Sequence, residues 1–208
     1  MRCETEASHR PERLLVAAGS PLTARDVIEV LDWLEAVGVA VWVDGGWGVD
    51  ALIREETRDH ADLDLALDAN HLDLARRALE KRGFHHDGSR DPGLPARLVM
   101  RDGRGREVDL HPLVFDASGD GWQQLAAGGM AWGLYPADDL RATGAIGGRP
   151  VRCLSPQLQL RFRLGYEWSE HDVQDVRLLV ARFDVPAPPP FRQQDSTPIR
   201  LGKRRQPR

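Results

Sequence analysis

The 208 residues are 41% hydrophobic and 29% charged and include six Trp, which excludes a disordered chain and suffices for one domain with a real core, with or without a small helical extension. The net charge of −4 is uneven: six basic residues (Arg192, Arg200, Lys203, Arg204, Arg205, Arg208) and a single acid, Asp195, follow Pro186, so the body before them is acidic. An acidic body disfavours nucleic acid, whose binding rests on neutralising phosphates, and suits a small cationic acceptor.

No apolar run reaches the length of a membrane span, and Met1–Ser20, with Glu4, Glu6 and Glu12, does not read as a secretory signal. Cys3 and Cys153 make no disulfide framework and have no ligand neighbours at zinc spacing, so a reducing cytoplasm is expected.

In chain order, Val27, Val30, Leu31 and Leu34 repeat at the helical period within Thr23–Val37, and Gly38 ends that helix. Val39–Val43 reads as a strand, Asp44-Gly45-Gly46 as a turn, and Trp47–Arg54 as a short helix. Asp62–Asp68 alternates with period two and is a strand with one apolar face. His71–Arg82 is helical and stops at Gly83. Arg97–Met100 and Glu107–Val114 are strands joined through Asp102-Gly103 as a hairpin. Phe115–Gly148 gives no clear element, and Arg149–Leu154 is a further strand. Ser155-Pro156 opens a helix with Ser as N-cap, and Ser169 with Asp172 forms a capping-box pattern at the start of a last helix through Phe183. Pro186–Arg208, with six prolines, reads as a disordered tail. The expected fold class is α+β. A mixed-sheet domain spans 20–154, a small helical part 155–185 and the tail 186–208.

The chemistry concentrates on the two alternating strands. Asp62 and Asp64 are two apart, so their carboxylates project to one side while Leu63, Leu65 and Leu67 bury the other. Two close carboxylates repel unless a cation or proton sits between them, and Mg²⁺ takes oxygen ligands while keeping positions for substrate phosphates. A D-x-D strand by itself also describes a solvated strand face. Glu107-Val108-Asp109-Leu110-His111 alternates in the same way, and Asp109 on a neighbouring strand would complete a two-metal constellation or accept a proton from an attacking hydroxyl. Asp44-Gly45-Gly46-Trp47-Gly48 places glycines before a helix, where backbone N–H groups can approach phosphate oxygens, although the same residues also make a plain tight turn. It has no Gly-Lys-Ser/Thr and is not a P-loop. Arg58 and His60 precede the carboxylate strand, where they could reach a phosphate or merely solvate the loop.

Val41-Trp42-Val43-Asp44-Gly45-Gly46-Trp47-Gly48-Val49-Asp50, Thr57-Arg58-Asp59-His60-Ala61-Asp62-Leu63-Asp64 and Val108-Asp109-Leu110-His111-Pro112 together resemble the lincosamide nucleotidyltransferases. Aminoglycoside 2″-nucleotidyltransferases are similar again at Gly147-Gly148-Arg149-Pro150-Val151-Arg152-Cys153, and the likeness runs from about Ala24 to Leu179. The resemblance implies a polymerase-β-like nucleotidyltransferase fold and two Mg²⁺ ions. Asp62 and Asp64 are the implied ligands, and Asp109 is the third acid, as base, ligand or both. Gly45, Gly46, Trp47, Arg58 and His60 are the implied nucleotide-binding residues, and Glu167, Tyr166 and Trp122 are candidates for the acceptor. The implied donor is ATP or another nucleoside triphosphate, and the implied acceptor is a hydroxyl of a small-molecule antibiotic. Where Gly46 stands, the superfamily usually carries Ser. His86–Pro95 and Ser118–Thr143, where an acceptor pocket would be built, match only loosely. The superfamily also includes enzymes acting on tRNA or protein, and a nucleotide-binding pseudoenzyme is the non-catalytic rival.

Overall fold

A computed structural model describes residues 21–89, 94–125, 132–164 and 167–187. Helix α1 (Ala24–Glu35) begins at a complete capping box between Thr23 and Asp26, which satisfies orphan N–H groups of its first turn. Its Val27, Val30, Leu31 and Leu34 are buried, as the period requires. Strand β1 (Val41–Val43) leads into α2 (Gly45–Ile53), which starts two residues earlier than the sequence suggests. The two glycines therefore form the first helical turn, with Asp44 as N-cap, rather than a separate turn. Strand β2 (Asp62–Asp68) is followed by a 3₁₀ turn and α3 (Leu72–Glu80), then by the short β3 (Phe84–His86).

Strands β4 (Leu98–Asp102) and β5 (Glu107–Phe115) form the expected antiparallel hairpin. The stretch without a sequence pattern contains β6 (Gly121–Gln124), β7 (Trp132–Tyr135) and β8 (Thr143–Ile146); β8 pairs with β9 (Arg149–Arg152) as a separate two-stranded sheet. The main sheet runs β1-β2-β5-β4-β3, with β6 continuing from the end of β5 and β7 beyond it. Among the described strands of this sheet, β2 and β5 pair in parallel and the other pairs are antiparallel. The sheet is mixed, with helices packed on it, and the fold class is α+β.

Leu63, Leu65, Leu67, Val108 and Leu110 fill one sheet face against α1 and α3. Each of these side chains is fully buried, worth about 2 kcal/mol. Burial of that face sends the acids of β2 and β5 to the other. There α4 (Pro156–Phe162) and α5 (Glu170–Phe183) pack against α2 through Val49, Ile53, Leu160, Val176 and Leu179. Ser155 caps α4, accepting from Leu158 N, and the Ser169–Asp172 capping box of α5 has both limbs. No described helix is long and apolar enough to cross a membrane.

Candidate active site

The parallel register of β2 and β5 sets Asp62 opposite Glu107, Asp64 opposite Asp109 and Ala66 opposite His111. Partners in register share a face, and adjacent strands lie about 4.8 Å apart, so Asp64 and Asp109 meet at one level. Ligand atoms of Asp64, Asp109 and His111 lie within 4.8 Å of one another. Asp62, on the same face, sits at the exposed head of β2 and is outside this group.

Asp109 is buried, and burial pushes its carboxyl up while His111 and Arg97 pull it down. Arg97 Nη1 donates to Asp109 Oδ2 at 2.6 Å. The other oxygen, Oδ1, is buried with no hydrogen-bond partner and lies 3.9 Å from His111 Nε2. Such a buried carboxylate oxygen beside a second carboxylate could hold a cation, and hard oxygen donors fit Mg²⁺. Asp64 is also pushed up by burial, but its contact with His111 Nε2 (3.3 Å), with Arg97 and Arg163 adding to it, holds it below the usual carboxylate range.

His111 is fixed from behind. Gln123 Nε2 donates to the Ala96 carbonyl (2.9 Å), which fixes the amide orientation, and lies 2.9 Å from His111 Nδ1. Tyr135, itself buried, donates its hydroxyl to Gln123 Oε1 at 2.8 Å. His111 Nδ1 is therefore an acceptor and Nε2 carries the proton toward Asp64. Burial lowers the imidazole pKa, but Asp64, Asp109 and Asp44 raise it to about 9. The two influences conflict, because an imidazolium would set two donors face to face at Gln123. A divalent cation on the carboxylates would remove the upward pull and leave the neutral Nε2–H form.

The second half of the site is the start of α2. Asp44 accepts from Gly45 N (2.6 Å) and its own N donates to the Asp64 carbonyl (2.9 Å), tying the helix to β2. Gly45 has φ +61°, and a Cβ there would lie 2.0 Å from Asp64 Oδ2. A Cβ on Gly46 would lie 2.4 Å from His60 Nδ1 and 2.5 Å from Arg58 Nη2. The two glycines thus clear space for Asp64 on one side and for two basic side chains on the other. Helix geometry leaves first-turn N–H groups without intrahelical acceptors, and the dipole favours an anion there. His60 is buried and its Nε2 meets Asp50 at 2.6 Å, while Asp50 also accepts from Thr57 Oγ1 (2.5 Å). Arg58 is held by Asp175 of α5.

Of the residues expected from sequence, Asp64, Asp109, Gly45, Gly46, Arg58 and His60 converge here. The Trp47 side chain is fully buried against the His60 ring, so only its backbone faces the helix end. Trp122 pairs with Val114 and Leu134 in β6, on the opposite side of the sheet from Asp109 and His111. It lines an apolar recess with Trp132, and its neighbour Gln123 takes the inward position instead. A period-two strand allows only one of two consecutive residues to face the site. Glu167 is exposed ahead of α5, and Tyr166 lies outside the described residues, as do residues 188–208 of the tail.

The sequence reading missed Arg97, Gln123, Asp50, Asp175 and Arg163, and gave His111 no role. For Asp175 a signal existed: it falls on the same helical stripe as Asp172, Val176 and Leu179, so a charge occupies the apolar face of α5.

Comparison with known proteins identifies the family and the fold. The sequence profile of the family Aminoglycoside-2''-adenylyltransferase matches residues 26–179. A lincosamide resistance protein of Staphylococcus haemolyticus is 30% identical over 158 residues, covering 76% of this chain and 94% of the relative. Among solved structures, the lincomycin-bound lincosamide antibiotic adenylyltransferase LnuA superposes with a TM-score of 0.67 at 28% identity, covering 76% of this chain and 97% of that one. ANT(2")-Ia in complex with adenylyl-2"-tobramycin superposes at 0.59 with 20% identity, covering 76% and 87%, which is a likeness of fold. The fold is that of the polymerase-β-like nucleotidyltransferases, and the chain belongs to the aminoglycoside-2''-adenylyltransferase family.

Proposed function

We propose that this chain is a Mg²⁺-dependent nucleotidyltransferase that moves AMP from ATP to a hydroxyl of an antibiotic, with a lincosamide favoured over an aminoglycoside as acceptor. The observation that carries the reading is the register match of Asp64 with Asp109, with Asp109 Oδ1 buried and without a hydrogen-bond partner and the glycine-headed α2 alongside. The preference for a lincosamide rests on the higher identity to the lincosamide relatives, 30% and 28% against 20%.

In this reading Asp64 and Asp109 would hold the metal, and Asp62, at the exposed end of the same strand face, would be a further ligand. When bound, Mg²⁺ polarises the acceptor hydroxyl and offsets charge on the leaving pyrophosphate. The first turn of α2, Arg58 and His60 hold the triphosphate, and the His111 Nε2–H keeps the Asp64 carboxylate oriented. The acceptor oxygen bonds to the α-phosphorus as the bond to the β-phosphate oxygen breaks, and Asp109 takes the hydroxyl proton. Burial, which raises the Asp109 carboxyl, makes it a better base than an exposed aspartate, and Arg97 keeps it in place. Positioning of this kind supplies most of the catalysis in phosphoryl-type transfers.

The test is a matrix of ATP and GTP against lincomycin, tobramycin and bulk tRNA, with and without Mg²⁺, read by pyrophosphate release and by the mass of the acceptor. An adenylylated lincomycin formed only with Mg²⁺ is the expected result. Pyrophosphate release with tRNA and with neither drug would refute the antibiotic reading.

A further inference from the structure

The C-terminal helix α5 contributes a buried acid to the phosphate side of the site. Asp175 is 1% exposed and carries two guanidinium groups. Its Oδ1 accepts from Arg58 Nε (3.4 Å), and its Oδ2 accepts from Arg58 Nη2 (3.2 Å) and from Arg163 Nη2 (2.8 Å). Arg163 is buried in turn, and its Nη1 donates to both the backbone and side-chain oxygens of Gln159 at 2.9 Å. The Gln159 amide nitrogen lies 2.2 Å from where a Cβ on Gly48 of α2 would be. A continuous chain of contacts thus runs from α5 through α4 to the opening turns of α2.

Arg163 also meets a second carboxylate, since Asp172 Oδ1 lies 3.8 Å from its Nε, so two acids face two guanidinium groups and Asp175 is the acid that holds Arg58. The donor count of Arg58 shows what is left for a ligand. A guanidinium has five N–H donors, of which Nε and one on Nη2 go to Asp175 and one on Nη1 to the Asp59 carbonyl (3.2 Å). One N–H remains on each terminal nitrogen, and Nη2 is the atom that would meet a Cβ on Gly46, at the anion-favouring end of α2.

We infer that Asp175 is a positioning residue for nucleotide binding: from α5 it holds Arg58 edge-on so that the remaining N–H groups face the triphosphate at the head of α2. The C-terminal helical part then completes the nucleotide pocket as well as covering α2. This rests on the proposed placement of the triphosphate.

Calorimetric affinity for Mg-ATP decides it, measured on the full chain for wild type, Asp175→Asn, Arg58→Gln and the double variant, with melting temperature alongside. Asp175→Asn keeps the shape and removes the charge, and Mg-ATP affinity should fall about tenfold, the worth of a charge-assisted hydrogen bond. Arg58→Gln should fall by as much or more. The double variant should be no weaker than Arg58→Gln alone, because Asp175 acts through Arg58. Asp175→Glu should recover part of the loss. A structural role would instead lower the melting temperature and give losses that add in the double variant, and that result overturns the inference. An Asp175→Asn protein that binds Mg-ATP within twofold of wild type also overturns it. If Asp175→Asn does not fold, Arg58→Gln, which leaves Asp175 paired with Arg163, carries the decision. Unchanged Mg-ATP affinity there refutes the arrangement. Failure of the wild type to bind Mg-ATP would remove the nucleotide reading itself, a result distinct from wild-type binding with an unaffected Asp175→Asn.

Discussion

Gly45→Ala places a methyl group where the Asp64 carboxylate now lies. The new Cβ would be 2.0 Å from Asp64 Oδ2 and 2.9 Å from its Cγ. Comfortable contact needs roughly 3.5 Å, so the carboxylate must retreat by more than about 1 Å. Asp64 can do this by rotating, which preserves the fold but withdraws the oxygen from Asp109 and His111. A misplacement of about 1 Å in a reacting constellation costs on the order of 10²-fold in rate. The backbone adds a separate cost. Gly45 has φ +61°, and a side chain there costs about 1–2 kcal/mol, or roughly 3–6 °C in melting temperature for a chain this size. Gly38→Ala is the control: its φ is +78°, and nothing lies within 4 Å of where the methyl group would stand, so it carries the strain without the clash. Both variants should lose similar stability, but Gly45→Ala alone should lose kcat/KM for the acceptor, by about 10²-fold or more. The assay is steady-state adenylylation beside thermal unfolding. A Gly45→Ala enzyme that melts like Gly38→Ala yet keeps kcat/KM within about threefold would refute the placement of Asp64 in the reaction.

Asp109→Asn should lower kcat by roughly 10²–10⁴-fold with little change in Mg-nucleotide affinity if the residue acts as base; loss of both, measured on the same variant, would make it an essential ligand. Trp122→Ala should leave kcat/KM for the acceptor near wild type, because the ring lies on the far side of the sheet; a large rise in acceptor KM would contradict that register. Arg106→Gln should lower stability at pH 7 and lower it by less at pH 3. Burial raises Asp26 and Asp102, but hydrogen bonds from Thr23 to the first and from Arg106 to both outweigh it and hold both carboxyls below 3.8. Their contribution is complete above the unfolded value and lost as pH falls through the folded one. Urea midpoints at the two pH values check this, and a wild-type-to-variant gap that stays constant would count against it. Native Cys153, whose thiol is pushed up to about 12 by burial, should react with a thiol reagent at pH 8 only after unfolding, followed by peptide mapping.

Much of the site was legible in the sequence because it rests on short periods. Period-two alternation in Asp62–Asp68 and Glu107–His111 assigns the carboxylates to one face and the leucines to the other before any packing is known. Ser155 and Ser169 stand where helix starts require them, and the structure has both caps. The stretch from Phe115 to Gly148 was not legible, because β6, β7 and β8 are four residues each and take their form from pairing with β5 and β9 rather than from local pattern.

Alternation assigned faces, while the glycines could mark either a close approach to phosphate or a plain tight turn, and it was the family resemblance that set the carboxylate strand beside them. Tertiary structure decided which carboxylates meet. The β2–β5 register sets Asp64 against Asp109 and leaves Asp62 at the exposed head of the strand, and nothing in either strand's own period fixes that offset. It also decided that Gln123, and not Trp122, faces inward, and that Arg58 is held by Asp175, which lies 117 residues away in the chain. These partners are chosen by the packing of α4 and α5 on α2 and of β6 on β5. Burial then turns an otherwise weak surface charge pair into one that must be satisfied, a condition that exists only once the elements have closed on one another.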